Sequence, residues 1–247
     1  MAKQVGIIQF NGALGETIGA PSMKGYQVIK KRPVAVHNPN TLKQRTQRGL
    51  FSAATATSAG TPLDAIAGLR PMAKAKKCSV RNAFTKTLLN DGVFSLNMIV
   101  PGQSSTTANY PSVKFSKGAE PIPNFRTADF ETPQEINVPV TLPSRIDSKC
   151  CNIIVVVYCP DAAQFSVQVI PCNHNNSAIT NLKITEIPAN WIGMKVHVWA
   201  YLQNFLDENN INAYYDARMF GASIDVHMLE SQASYSNTYY VGQGNIG

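Results

Sequence analysis

The hydrophobic pattern of this chain changes its period near residue 92, and this change limits the folds that the chain can adopt. Over residues 79–90 the apolar positions follow helical spacing, at i, i+3, i+4 and i+8. These positions hold Val80, Ala83, Phe84 and Leu88. Asp91-Gly92 then supplies a helix stop. After residue 92, short runs rich in β-branched and aromatic residues alternate with Pro and Asn/Gly clusters, which predicts antiparallel strands.

The fold class predicted from this pattern is mainly β, with a C-terminal antiparallel β-sandwich of the jelly-roll or immunoglobulin-like type. The predicted strands are 94–100, 112–116, 136–142, 152–159, 164–170, 182–186, 195–202, 213–219 and 224–229. Over 195–202, both alternating sets of positions hold apolar or aromatic residues, so we expect both faces of that strand to be covered. The polar tail from Ser231 is predicted to be a terminal strand, over 236–241, or an arm that orders on a neighbour.

Residues 1–37 are predicted to form a basic, Gly-rich extended arm. Five glycines interrupt a segment that is otherwise rich in Ile, Val and Tyr: Gly6, Gly12, Gly15, Gly19 and Gly25. Glycine lowers helix propensity and permits close approach of the backbone. A hairpin that pairs residues 6–10 with residues 26–30 fits this pattern.

Residues 38–92 are predicted to form a short helical region. Asn38-Pro39 is an N-terminal helix signal, and a second helical piece is expected from Thr61-Pro62 through Leu69, interrupted by Pro71. The buried positions expected on the first helix are Leu42, Leu50, Phe51 and Ala54. The chain therefore divides into an arm (1–37), a helical region (38–92), a β-sandwich (93–230) and a polar C-terminal strand or arm (231–247).

Charge is divided between the same two parts of the chain. Residues 1–90 hold 14 Lys/Arg and two acids, a net +12, and residues 91–247 hold 8 Lys/Arg and 13 acids, a net −5; together they give the chain's +7. Such asymmetry favours a basic segment that binds nucleic acid or another polyanion. It also fits a basic third that neutralises the acidic face of a neighbouring copy.

The densest part of this positive charge predicts a contact site for nucleic acid or another polyanion. Seven residues form it: Lys24, Lys30, Lys31, Arg32, Lys43, Arg45 and Arg48. Such density neutralises phosphates and gives sequence-independent, salt-sensitive binding. Tyr26 and Phe51 are the only aromatic residues nearby, so we expect contact with the phosphate backbone rather than base stacking.

No motif predicts catalysis, a metal or a cofactor. Cys150, Cys151, Cys159, Cys172 and His174 are close in sequence but lack the tight Cys-x2–4-Cys knuckle of a zinc site. The four histidines are isolated, with His197 and His227 on predicted strands, and serine-hydrolase and zinc-peptidase motifs are missing. The pattern Gly12-x-x-Gly15-x-x-x-Gly19 lacks the Gly-Lys-Ser/Thr ending of a phosphate-binding loop. Asp207-Glu208-Asn209-Asn210 lacks the EF-hand register and is expected to be a solvated hairpin loop.

Targeting signals are also missing from the pattern. Residues 5–10 are far too short for the apolar core of a signal peptide, and the longest apolar run, 153–158, is too short to cross a bilayer. The five cysteines lack the even count and regular spacing of a secreted disulfide framework. We therefore expect synthesis in the cytoplasm and no membrane partner.

Several short motifs, taken in order, carry a resemblance to a known group of proteins. They are Gly12-x-x-Gly15-x-x-x-Gly19, Lys24-Gly25-Tyr26, Arg32-Pro33, Asn38-Pro39-x-Thr41-x-x-Gln44-x-x-Gln47-Arg48-x-x-Phe51, Asn82-Ala83-Phe84, Tyr110-Pro111, Ser116-Lys117-Gly118, Val196-His197-Val198-Trp199 and Ser236-Asn237-x-x-Tyr240. In these the chain resembles an uncharacterised family of small proteins from Bacteroidota genomes and their phages and prophages. The resemblance implies a basic N-terminal segment, a short helical region and a C-terminal β-sandwich. It implies no catalytic residues, and its phage association favours a virion component. The chain departs from the family pattern at 103–108 and 121–143, which are longer and richer in Pro and Thr.

Together these features predict a structural role rather than an enzyme. Only 15% of the residues are charged, and weakly charged surfaces suit packing against other subunits because few charges must be desolvated. The leading hypothesis is a bacteriophage virion structural protein, a self-assembling capsid subunit made in the host cytoplasm and located in the virion. Its expected partners are copies of itself, other virion proteins and, through the phosphate backbone, nucleic acid. The alternatives are a host nucleic-acid-binding protein outside any virion and, disfavoured by the missing signal peptide, a cell-surface sandwich.

Overall fold

The computed structural model of the chain describes the backbone of residues 2–4, 12–14, 17–21, 27–31, 41–100, 103–130, 134–143, 146, 150–172, 180–220 and 226–247. The chain forms two compact units, Met1–Arg45 and Thr46–Gly247. The division at residues 37, 92 and 230 stays a prediction.

In the first unit, four described strands form an antiparallel sheet. Its strands are β1 (Ala2–Gln4), β2 (Gly12–Leu14), β3 (Thr17–Pro21) and β4 (Gln27–Lys31), in the order β1-β4-β3-β2. The strand predicted over 26–30 is confirmed to within one residue, and its partners are β1 and β3. The predicted partner, 6–10, lies outside the described residues. Gly12 pairs with Gly19 across the β2–β3 hairpin, so both glycines belong to a sheet.

Helices follow over residues 42–90. They are α1 (Leu42–Gly60), a 3-10 helix (Asp64–Leu69), α2 (Arg70–Ala75) and α3 (Val80–Asn90). Ser79 caps α3, since its Oγ accepts a hydrogen bond from the backbone N–H of Asn82 at 3.1 Å. Gly92 ends it with a φ of +62°, the left-handed conformation that glycine adopts without strain. The prediction for this helix is confirmed at both ends.

Pro71 was predicted to interrupt the second helical piece, and this prediction is wrong. The chain passes from the 3-10 helix directly into α2, with Pro71 in the first turn of that helix. The missing N–H of proline costs little there, because the first backbone N–H groups of a helix have no partner within the helix.

The described residues of the second unit form three antiparallel sheets. Their strands are β5 (Phe94–Val100), β6 (Gln103–Ala108), β7 (Asn124–Phe125), β8 (Ile136–Thr141), β9 (Cys151–Cys159), β10 (Gln164–Pro171), β11 (Thr180–Ile184), β12 (Lys195–Asn204), β13 (Ser234–Tyr235) and β14 (Tyr239–Asn245). The central sheet has the order β10-β9-β12, and both β13 and β14 pair with β12. A second sheet has the order β11-β8-β7, and β5 pairs with β6. The prediction of a strand-rich, antiparallel chain after residue 92 is confirmed.

Both faces of β12 are buried, as predicted. Val196, Val198 and Ala200 belong to an apolar cluster that includes Val138 and Ile184 of the second sheet. On the opposite face, Trp199 and Tyr201 belong to a cluster with residues of the helices, among them Ile66, Leu69, Phe84 and Leu88. The central sheet therefore lies between the second sheet and a helical layer, and residues from both sides of position 92 share one core.

Three predicted strands are wrong. Residues 112–116 contain the end of a 3-10 helix (Tyr110–Ser112) and irregular chain. The predicted strand 213–219 falls on α4 (Glu208–Phe220), and the described part of the predicted strand 224–229 falls on α5 (Val226–Gln232). In α4 the buried residues Ile211, Tyr214 and Ala217 recur every three positions, as on one helix face. The predicted acidic loop at 207–210 instead begins this helix, because Asp207 Oδ1 accepts the N–H of Asn210 at 2.8 Å.

Candidate polyanion-binding surface

The seven residues of the predicted contact site are described in part. Three lie in the first two turns of α1 with exposed side chains: Lys43, Arg45 and Arg48. Lys31 ends β4 with an exposed side chain, and Lys30 precedes it on the same strand. Lys24 and Arg32 lie outside the described residues. The structure therefore brings three of the seven residues onto one helix, and the complete site stays a prediction.

The start of α1 is more positive than its side chains alone would make it. Thr41 caps the helix, since its Oγ1 accepts the N–H of Gln44 at 3.3 Å. The first turn contains no acidic residue, although the positive end of the helix dipole normally favours carboxylates there. Lys43 and Arg45 thus add formal charge to an end that already carries a partial positive charge. A bound anion would relieve this repulsion.

Two apolar residues of α1 are exposed, contrary to prediction. Leu42 exposes 59% of its surface and Phe51 exposes 56%, whereas Ala54 is buried and Leu50 is half-buried. Phe51 follows Arg48 by three positions, so the two side chains are neighbours on the helix surface. A single exposed ring offers one stacking position rather than a stacking platform. Contact through the phosphate backbone therefore remains the expected mode of binding.

Four further lysines are exposed in the helical part of the second unit: Lys74 on α2, Lys76 and Lys77 directly after α2, and Lys86 on α3. We refer to them as the helical-layer lysines. In the part of the chain that the structure describes, none of the four has a carboxylate within ion-pair distance. None of the four belongs to the contact site predicted from the sequence. They give the second unit exposed positive charge of its own.

A buried ion pair joins two helices of the same layer. Glu230 of α5 exposes 1% of its surface, and its Oε2 lies 2.7 Å from Nε of Arg70 at the start of α2. His227 Nδ1 lies 3.4 Å from the same oxygen. Burial raises the pKa of Glu230, and the positive charge of Arg70 opposes that rise. Sequence reasoning missed this pair, because its partners are far apart in the chain and no local pattern links them.

The buried position of this carboxylate indicates a structural role. Tyr235 lies beside it and donates its hydroxyl to the carbonyl of Glu230 at 2.7 Å. Burial also raises the pKa of the nearby Tyr214 to about 12, so this phenol stays protonated at neutral pH. A substrate would have to displace packed helices to reach these groups. We interpret them as a network that fixes α2 and α5 on the central sheet.

Of the two described histidines, His197 is buried and packs among aromatic rings, whereas the His227 side chain is about half exposed. His197 of β12 lies with Nδ1 2.9 Å from the Tyr240 hydroxyl and with its ring centroid 4.2 Å from that of Tyr110. Burial lowers the pKa of His197 to about 4, and Lys195 adds to the effect. His227 was predicted on a strand and lies instead on α5. His37 and His174 lie outside the described residues.

The five cysteines are all described, and none joins a disulfide. Four of the thiols are buried: Cys150, Cys151, Cys159 and Cys172. Among the described residues, no three His, Cys, Asp or Glu side chains are grouped so that they could hold a metal ion. The buried thiols act as small apolar residues in the core, and Cys159 and Cys172 lie in the cluster between the two sheets.

Described residues of the second unit line at least two cavities. The larger, about 250 Å³, is lined mainly by apolar residues of the two sheets, among them Val140, Ile153, Ile170 and Leu182. Lys183 also lines it and lies 3.2 Å from Glu135. The smaller, about 70 Å³, lies among aromatic residues between the helices and the central sheet. Such walls suit an apolar guest rather than a charged substrate.

Comparison with known proteins gives no match: no family model, no curated protein and no solved structure is similar to the chain. Of the helices described, none combines the length and the apolar character needed to cross a membrane.

Proposed function

We propose that this chain is a bacteriophage virion structural protein, a self-assembling capsid subunit that contacts packaged nucleic acid or a neighbouring copy through its basic N-terminal third. The observation that carries the proposal is the unequal charge of the two compact units. Residues 1–45 hold 7 Lys/Arg and one acid, a net +6, and subtraction from the chain totals leaves 15 Lys/Arg and 14 acids, a net +1, on residues 46–247. A small basic unit attached to a nearly neutral one suits a subunit that binds a polyanion while packing against copies of itself.

The same proposal assigns the finer fold. The central sheet and the sheet of β11, β8 and β7 would be the two sheets of a β-sandwich, jelly-roll or immunoglobulin-like, and residues 1–37 would act as its arm. Support comes from the apolar cluster that residues of both sheets share, including Val138, Val155 and Val198. The helical layer on the other face of the central sheet is an addition to a plain two-sheet sandwich.

The nucleic-acid contact is supported by exposure rather than by a recognition motif. Lys31, Lys43 and Arg45 are exposed in the first unit, and Arg48 is exposed one turn further along α1. Lysine and arginine at this density bind phosphates without reading the bases, and each phosphate contact adds to the salt dependence of the affinity.

A second candidate function is a host nucleic-acid-binding protein that is not part of a virion. The helical-layer lysines favour it, because they place exposed positive charge on the second unit in addition to the charge of the N-terminal segment. This candidate predicts a soluble monomer or dimer that binds DNA with a steep salt dependence and forms no shells.

Negative-stain imaging and a salt titration of DNA affinity test both candidates. A capsid subunit is expected to form shells or rings, at low salt and with nucleic acid present. Replacing Lys30, Lys31 and Arg32 by Gln is expected to weaken binding uniformly across DNA sequences. It should also lower the slope of log affinity against log salt by about 2.7, since each lost phosphate contact contributes about 0.9.

A matched variant controls for the total charge. Replacing Lys74, Lys76 and Lys77 by Gln also removes three positive charges, but from the helical-layer lysines. The proposed site predicts a clearly smaller loss of slope for this variant than for the N-terminal one. Equal losses would contradict the assignment of the contact to the N-terminal third. A monodisperse monomer at high concentration that binds no nucleic acid at low salt would contradict both candidates.

A further inference from the structure

Strand β10 forms one edge of the central sheet. It is eight residues long, Gln164–Pro171, and within the described part of the chain it is hydrogen-bonded to β9 alone. An edge strand presents a row of backbone N–H and C=O groups that can pair with another strand. Soluble proteins normally protect such an edge with charged side chains, internal prolines, bulges or a covering segment.

The sequence of β10 lacks the charged side chains that usually protect an edge. Its residues are QFSVQVIP, with no charge and with proline only at the last position. The pairing with β9 is regular over all eight residues and contains no bulge. Ser166 and Gln168 are engaged on one face, where they contact backbone groups of Glu186 and Thr185. These contacts hold one face of the strand, and the strand itself brings no charged side chain to its outer backbone groups.

The direction of the outer backbone groups follows from two hydrogen bonds. Cys172 N donates to Cys151 O at 3.0 Å, next to β10, and Phe205 N donates to Cys150 O at 2.8 Å, next to β12. Because hydrogen-bonded pairs alternate along an antiparallel ladder, odd-numbered residues of β9 bond to β10 and even-numbered ones to β12. The outward N–H and C=O groups of β10 are therefore those of Phe165, Val167 and Val169. Pro171 is next in this set and has no N–H.

We propose that β10 pairs antiparallel with β10 of a second copy, across a two-fold axis at Val167. In this register Val167 lies opposite the partner's Val167, and Phe165 lies opposite the partner's Val169. The three outward residues of each strand then form three hydrogen-bonded pairs, and each pair exchanges two bonds. The two central sheets join into one continuous sheet.

A second copy is the partner that this strand fits best. Phe165, Val167 and Val169 all pack on the helical side of the sheet, whereas Ile170 packs on the other side. Pairing about Val167 keeps this apolar row next to the same row of the partner, and Ser166 next to the partner's Gln168. No like charges oppose each other, since the strand has none. The identity of the partner, a second copy of the chain, rests on the proposed self-assembly, whereas the edge geometry does not.

Sedimentation velocity of the whole protein, at concentrations up to about 200 µM, tests the pairing. Wild type is expected to show a concentration-dependent dimer. Val167→Pro removes an outward N–H from each copy and leaves the bonds to β9 intact, and an edge strand tolerates proline at such a position. It is expected to raise the dimer dissociation constant by at least about 30-fold, the value of two lost hydrogen bonds. Val167→Ile keeps the N–H and is expected to dimerise like wild type.

Disulfide trapping tests the register without depending on the proline variant. Val167→Cys places two thiols opposite each other on the two-fold axis, within the Cα separation that a disulfide spans. Ser166→Cys places each new thiol opposite the partner's Gln168 instead. Under mild oxidation, with Cys78 replaced by Ser to remove the one native thiol that is not buried, the first variant is expected to form a covalent dimer and the second is not.

The outcomes separate this inference from the proposed function. A monomeric wild type, a Val167→Pro variant that dimerises like Val167→Ile, or equal cross-linking of the two cysteine variants would overturn the edge pairing. Shells formed equally well by Val167→Pro would overturn the pairing while leaving the capsid proposal standing. A dimer with the predicted cross-link but without shells under any condition would support the pairing and overturn the capsid proposal.

Discussion

A buried histidine is expected to lower the free energy of unfolding of this protein in mild acid. His197 exposes 5% of its surface, and burial lowers its pKa to about 4 from an ordinary value near 6.5. The unfolded chain therefore takes up a proton as pH falls through 6.5, whereas the folded chain does so only near pH 4. Unfolding is favoured across that interval, which lowers the free energy of unfolding of wild type by about 2–3 kcal/mol.

Replacing His197 by Gln is expected to remove that part of the pH dependence. Urea unfolding at pH 7 and at pH 4 gives the difference in the free energy of unfolding between the two pH values. Any destabilisation that the substitution causes at both pH values cancels in this difference. Other groups titrate alike in the two proteins and cancel in the comparison. If the free energy of unfolding fell equally between pH 7 and pH 4 in wild type and His197→Gln, burial would not lower the pKa of His197.

Other constraints on single residues leave no local trace in the sequence. A Cβ at Gly118 would overlap the backbone carbonyl of Tyr235, and one at Gly68 would overlap the side chain of Ser116. These glycines are required by segments that approach from far along the chain, whereas Gly92 is required by its own positive φ and was predictable from the helix stop. Sequence reasoning finds the second kind of glycine and misses the first.

An arginine from another helix caps the C-terminal end of α1. Arg81 of α3 donates through Nη1 to the carbonyls of Ser58, Ala59 and Thr61, and its own carbonyl accepts the Ser58 hydroxyl at 3.2 Å. The last carbonyls of a helix have no partner within it, and a cation stabilises the negative end of its dipole. The Arg81 side chain thus both caps α1 and links it to α3 by hydrogen bonds.

Arg81→Met is expected to lower the free energy of unfolding by about 2 kcal/mol, the value of charge-assisted hydrogen bonds to carbonyls left without a partner. For a unit of this size the melting temperature should fall by roughly 4–8 °C. Lys86→Met on the same helix is the control, since Lys86 is exposed, and it is expected to melt within about 2 °C of wild type. Similar losses from both variants would show that the cap contributes nothing.

The helices and strands that were predicted correctly are those whose signals lie within their own residues. Helix α3 and the strands around 151–159 and 195–204 were predicted because capping residues and apolar runs are local signals. Helices α4 and α5 were missed because tyrosines and alanines at 213–219 also fit an alternating pattern. The burial that decides between the two patterns comes from tertiary packing, for example of Tyr214 on Phe205, the residue that follows β12. The predicted contact site was located by charge density alone, and no local signal could show how its residues are placed together.

The whole molecule separates its core from much of its positive charge. Every described residue of the two apolar clusters lies at position 54 or beyond. Residues 1–39 nevertheless carry five Lys/Arg against one acid: Lys3, Lys24, Lys30, Lys31 and Arg32 against Glu16. Stability and polyanion affinity should therefore respond differently to the loss of this segment.

A chain that begins at Asn40 is expected to unfold cooperatively and to melt within about 3 °C of the full chain, by circular dichroism. Its affinity for DNA should fall, and its salt slope should drop by up to about 4.5, because as many as five phosphate contacts are lost. The helical-layer lysines are expected to leave some residual binding. A large fall in melting temperature would show that the first unit supports the core, and an unchanged salt slope would remove it from the proposed contact.

The pairing of β14 with β12 has a consequence for synthesis. Strand β12 ends at Asn204, but over Lys195–Ala200 one of its two sides stays open until residues 239–245 have been added. At roughly 5–20 residues per second, translation of the intervening 34 residues takes about 2–7 s. During that interval the nascent chain displays an open strand edge that neighbouring nascent chains on the same messenger can pair with. Slow codons between positions 205 and 238 would lengthen this exposure, so rapid translation there should raise the yield of correctly folded protein.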